Sequence, residues 1–140
     1  MSGVKRSIGT NKVLVNRERV MLFRFLLTAA IAIFPAISIA GEADVISVEV
    51  SGSGPQYRFS VTVRHADIGW DHYADGWEVV GPDGTVYGER VLAHPHVDEQ
   101  PFTRSGSATV PEGVSEVTIR AHDSVHGHGG AEIVVQLPGR

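Results

Sequence analysis

An all-β fold, an antiparallel β-sandwich of immunoglobulin-like type, is predicted by three features of this 140-residue chain. Short stretches between residues 44 and 137 alternate apolar with polar side chains, the period of a strand with one buried face. Gly- and Pro-rich turns separate these stretches at short intervals. No long segment carries the helical period, and there is no internal repeat. About seven short strands in roughly 100 residues suit such a sandwich.

The elements follow in order. Ile46, Val48 and Val50 alternate with Ser47 and Glu49, which predicts a strand over 44–51. Ser51-Gly52-Ser53-Gly54-Pro55-Gln56 is a turn. Tyr57, Phe59, Val61 and Val63 alternate with Arg58, Ser60, Thr62 and Arg64, the clearest strand in the chain. A polar and aromatic connection runs from His65 to Gly76, and Trp77 to Val80 is a short strand. Trp77 suits the buried tryptophan that such sandwiches carry between their sheets. Gly81-Pro82-Asp83-Gly84 is a tight turn before a return strand, Thr85 to Ala93. His94 to Pro101 is irregular. Phe102 to Val110 reads as a strand broken at Ser105-Gly106. Pro111-Glu112-Gly113 turns the chain, Val114 to Ala121 is the next strand, and Glu132 to Leu137 is the last.

The first 40 residues are expected to stand apart from this domain. Residues 21–40 read as a signal peptide, with a basic flank, an apolar core and a small-x-small ending at Ser38-Ile39-Ala40. Cleavage is expected between Ala40 and Gly41, which leaves no stable membrane span and sends the domain 41–140 to the periplasm or outside the cell. Residues 1–20 form an N-terminal extension, and translation is expected to begin at Met21. The chain holds 12 Lys+Arg and 16 Asp+Glu, and six of the basic residues but one acid fall in 1–40. Residues 41–140 therefore carry six basic against fifteen acidic side chains, a formal charge near −9, with no lysine. That balance argues against nucleic acid, which needs cationic patches. Cysteine is absent and both methionines lie in 1–40. Any metal would then be held by His, carboxylate or backbone oxygen, which points away from Cu(I).

Strand alternation sends connections to opposite ends of a sandwich in turn. The short turns at 51–56, 81–84 and 111–113 share one end and lack histidine. The connections at 65–76, 94–101 and 122–130 share the other and hold all seven: His65, His72, His94, His96, His122, His126 and His128. Loops at one end of a rigid sandwich are where such folds build sites.

The expected site is a divalent metal centre, Zn²⁺ or Cu²⁺, held by a subset of His65, His94, His96, His122 and His126. His94-Pro95-His96 places two imidazoles two residues apart, a spacing for a bidentate grip stiffened by proline. His122 is expected on the outward face of its strand, with Asp123 as its carboxylate partner, fixing the tautomer of the ring. Asp98 is expected in the same supporting role. Gly127, Gly129 and Gly130 let the chain turn tightly around His126 and His128. Trp70, His72, Tyr73 and Arg104 are candidate contacts for a small ligand, Arg104 also as an internal partner for Asp98 or Glu99. A binding module for a protein or small ligand, its His–Asp pairs purely structural, is the competing expectation. A metal-dependent hydrolase would need an open coordination position and a base such as Asp123 or Glu99. No Gly-x-Ser-x-Gly elbow, His-Glu-x-x-His helix or phosphate loop is present.

The segments Gly69-Trp70-Asp71-His72-Tyr73-Ala74-Asp75-Gly76-Trp77-Glu78-Val79-Val80, His94-Pro95-His96-Val97-Asp98-Glu99-Gln100-Pro101-Phe102-Thr103-Arg104 and Arg120-Ala121-His122-Asp123-Ser124-Val125-His126-Gly127 resemble an uncharacterised family of small exported bacterial proteins. The resemblance covers most of 44–137. It implies export and a compact β-fold, and it supplies no catalytic or binding residues.

Overall fold

The computed structural model describes residues 41–140. The expected extension, signal peptide and start site fall in 1–40, outside the described residues. Seven strands form: β1 (Asp44–Ser53), β2 (Gln56–Arg64), β3 (Ala74–Val80), β4 (Val86–Val91), β5 (Phe102–Thr109), β6 (Glu116–Asp123) and β7 (Ile133–Gln136). They make two antiparallel sheets, β1-β2-β5 and β4-β3-β6-β7. The fold is an all-β sandwich. In the constant-type immunoglobulin domain the fourth strand joins the sheet of the first. Here β4 pairs with β3, so the sheets hold three and four strands. Among the described residues no helix is long and apolar enough to cross a membrane.

Period-2 alternation builds the core. Tyr57, Phe59, Val61 and Val63 of β2 face inward against Val117, Ile119 and Ala121 of β6, with Trp77 and Val79 of β3 beside them. Trp77 is 1% exposed. Among the described residues the core cluster draws on both sheets. β1 departs from simple alternation. A bulge between Val45 and Ser47 buries Val45 and turns Ile46 outward, after which Val48 and Val50 pack on the core.

β5 runs unbroken through Ser105-Gly106. The glycine does not interrupt the strand; it leaves room for the indole. A Cβ at Gly106 would lie 2.8 Å from Trp77 Cη2 and 3.2 Å from Cζ2. Gly106→Ala is therefore expected to destabilise the domain by about 1–3 kcal/mol through overpacking. In a Trp70→Phe background it should also alter the folded-state emission of Trp77, read by fluorescence during denaturant unfolding.

β1 is tied to the far sheet at its start. Val45 N–H donates to the Ala131 carbonyl at 2.8 Å, and Asp44 Oδ1 accepts the Ala131 N–H at 2.9 Å. Arg64 donates to Asp44 Oδ2 at 3.0 Å. The Ala131 N–H, aided by Arg64, holds the Asp44 carboxyl below the usual range. A carboxyl depressed in the folded state contributes stability above its unfolded value of about 3.9, and loses it as pH falls through the folded value. Asp44→Ala should cost about 1 kcal/mol near neutral pH. It should also flatten the decline of stability below about pH 4, measured by chemical denaturation across pH.

Candidate metal centre

Two strands run their inward faces past the apolar core into polar residues. On β2 the series Tyr57, Phe59, Val61, Val63 continues to His65. On β6 the series Val117, Ile119, Ala121 ends on Asp123. One sheet thus delivers a buried imidazole and the other a buried carboxylate to the same end of the sandwich. The β2–β3 connection supplies His72, also buried. One ligand atom from each of His65, His72 and Asp123 lies within 4.8 Å of the others.

Hydrogen bonds fix these groups. His65 Nδ1–H donates to Asp67 Oδ1 at 2.5 Å, and both side chains are fully buried. Asp67 also accepts the Ala74 N–H at 3.1 Å and the His96 N–H at 2.7 Å. A carboxylate on Nδ1 sets the tautomer and leaves the Nε2 lone pair of His65 free. That atom is 3.2 Å from His72 Nε2, which is 2.9 Å from Asp123 Oδ1. Three basic atoms therefore converge, with one proton, on His72, donated to Asp123.

Asp123 is 0% exposed. Burial raises its pKa, but the N–H groups of His126 and Val125, with His72 and His126 as further partners, outweigh that and hold the carboxyl below its usual range. Those N–H groups reach Oδ1 at 2.7 and 3.0 Å. Oδ2 is buried and has no partner. A buried ionised oxygen without a donor is costly, and a bound cation would satisfy it. His126 stands at the solvent side, its ring edge-on to His72 with centroids 4.8 Å apart and its Nδ1 3.3 Å from Asp123 Oδ1.

The other expected residues lie elsewhere. His122 points to the outer face of its sheet, and its Nδ1 pairs with Asp75. Asp123 is not its partner, because consecutive strand residues face opposite sides. His96 is buried outside the converging group and stacks on Phe102, with centroids 3.9 Å apart and 10° between planes. The His94 ring lies beside it, with centroids 4.7 Å apart and 34° between planes. Asp98 is exposed. Arg104 donates to both oxygens of Glu99 at 3.2 and 2.9 Å, an internal ion pair. Trp70 is 68% exposed, with Tyr73 edge-on at 5.5 Å. Among the sequence candidates His72 was a ligand contact and Asp123 a support for His122; here both belong to the converging group, with Asp67 as the carboxylate that orients His65. The readable signal was alternation carried one inward position past Val63 of β2, to His65, and one past Ala121 of β6, to Asp123.

No family model matches the chain. A protein from Halomicrobium mukohataei named "Putative lipoprotein" is 46% identical over 95 residues, 67% of this chain and 47% of that relative. The chain thus spans about half the length of the curated relative it matches. No solved structure matches.

His96 offers a test of the polar end of the core. Burial, then the positive field of Arg104, pushes its pKa down, and both ring nitrogens lack partners. An unfolded histidine takes a proton below about pH 6.5 and the buried one resists it, so stability falls as pH drops through that range. His96→Phe keeps the stack and removes the titration. Its melting temperature should exceed that of wild type at pH 5, with the gap narrowing at pH 8.

Proposed function

We propose that this domain binds a divalent transition metal, Zn²⁺ or Cu²⁺, through His65 Nε2, His72 Nε2 and an Asp123 carboxylate oxygen. The observation that carries this reading is the convergence of those three buried ligand atoms within 4.8 Å. Asp67 supports it by holding His65 in the ligating tautomer, the carboxylate–histidine–metal arrangement. The unpartnered Asp123 Oδ2 supports it as well. Two imidazoles and a carboxylate suit a borderline cation, and the chain offers no thiol for a softer one. His126 is the fourth donor, on a glycine-flanked loop at the solvent side. A three-ligand core with a solvent-side fourth position favours reversible loading over a closed structural site.

The export signal at 21–40 and the lipoprotein name of the relative together support a role outside the cytoplasm. The 140 residues contain no cysteine, so lipid attachment through a thiol has no acceptor among them.

Calorimetric titration of residues 41–140 with Zn²⁺ and Cu²⁺ tests the reading. His65→Ala with His72→Ala should abolish high-affinity binding. Asp67→Asn should weaken it by about 10–100-fold, the usual effect of removing the partner of a ligating histidine. Binding through His72 Nε2 should shift the proton of that ring to Nδ1, and affinity should weaken as pH is lowered, because protons compete with the metal for the imidazole nitrogens. Unchanged affinity in the His65/His72 double variant would sink the proposal.

A further inference from the structure

The outer face of the four-stranded sheet carries a second group of metal-ligating side chains. It is separated from the His65–His72–Asp123 centre by the sheet itself, since His122 and Asp123 are consecutive and face opposite sides. A cleft of about 370 Å³ opens there, with Tyr73, Asp75, Glu78, Glu89, His122 and His128 among its lining residues. Register explains the grouping. Glu78 of β3 lies opposite Glu89 of β4 on one side and Arg120 of β6 on the other, and Gly76 lies opposite His122. Gly76 contributes no side chain, so the space above it stays open.

The two imidazoles are held in the same state. His122 Nδ1–H faces the Asp75 carboxylate, and His128 Nδ1–H donates to the Ala121 carbonyl at 2.9 Å. Each ring therefore keeps its lone pair on Nε2, as a metal ligand requires. The rings are edge-to-face with centroids 4.8 Å apart. His128 Nε2 lies 3.4 Å from Glu78 Oε2. In that tautomer two acceptors face each other beside the Arg120 guanidinium, and a cation on Nε2 would add to that compensation. Three carboxylates line the cleft, and Arg120, at 2.8–2.9 Å from Glu78 Oε2, offsets one of them. Glu78 and Glu89 lie directly opposite each other, a like-charge pair for which Arg120 supplies one positive charge against two negative ones.

We propose that this cleft is a second divalent-cation site, independent of the first, with His122 and His128 as nitrogen donors and the exposed Glu89 as the oxygen donor that closes on the ion. Two imidazoles and a carboxylate select the same class of cation, Zn²⁺, Ni²⁺ or Cu²⁺, over Mg²⁺ or Ca²⁺. The rim position and exposed carboxylate make it the weaker of the two sites. The Gly127–Gly130 segment links them, because one loop carries His126 to the inner centre and His128 to the outer cleft.

The experiment is Zn²⁺ titration of residues 41–140 by calorimetry, alongside His122→Ala/His128→Ala and His65→Ala/His72→Ala. Wild type should take two equivalents, and each double variant should retain one, with Glu89→Gln weakening the outer site about tenfold or more. Because His122 lies at the end of a strand, His122→Asn/His128→Asn, checked for an unchanged melting temperature, repeats the measurement without truncation. A second readout is independent of stoichiometry: substoichiometric Cu²⁺ should broaden the ring resonances of His122 and His128 as well as those of His65 and His72. Stoichiometry unchanged by either His122/His128 double variant would overturn the second site. So would a single equivalent lost only with His65 and His72, a result that leaves the inner centre standing. Loss only with His122 and His128 would support the outer site and reject the inner one.

Discussion

Asp123 has no exposed surface, yet its pKa is held below that of an ordinary aspartate. An ionised carboxylate in that position must gather donors or destabilise the fold. Oδ1 does so from three directions: the N–H groups of Val125 and His126, and His72 Nε2. The chain after β6 has to double back to supply the first two. It does so with a bridge between Asp123 and Gly127, whose φ of 74° favours glycine, with paired backbone hydrogen bonds of 3.0 Å. The β2–β3 connection has to dip inward to supply the third. The open end of the sandwich is thus closed by loops that serve one carboxylate.

The same constraint explains why the site sits between the sheets. A sandwich core ends where its inward-facing positions run out of apolar partners. Here the next inward positions are His65 from one sheet and Asp123 from the other. Asp67 holds His65, and also accepts the backbone N–H of His96, so the third loop is tied to the same group. The opposite end is fastened differently. Arg140 donates to the Tyr57 hydroxyl and to the carbonyls of Val110 and Pro111, a clasp without histidine. One end is closed by a polar network over the core, the other by a cation over an aromatic ring.

Much of this was legible in the residues. Strand periodicity located every strand, and the alternation of connections put all seven histidines at one end. The misread positions share a cause. Asp123 was paired with His122 because they are neighbours in sequence, whereas strand geometry turns neighbours to opposite faces. His122 finds Asp75 instead, from a residue next to the β3 bulge, where alternation gives no guide. His94-Pro95-His96 has the spacing of a bidentate grip. Phe102 takes His96 into a stack, and no local pattern announces an aromatic partner across a loop. Gly106 looked like a strand breaker, because the indole that fills its space comes from the other sheet.

The sequence by itself determined the class of fold, the burial of Trp77 and the end of the sandwich at which chemistry gathers. It did so because hydrophobic period and turn residues act over a few neighbours. Only the tertiary structure decided which histidines meet. His65, His72 and Asp123 come from a strand end in one sheet, a loop, and a strand end in the other, and sequence spacing carries no record of how two sheets stack. It also decided that the Asp123 carboxylate is buried with one oxygen unpartnered, because the loops that close over it are set by long-range packing.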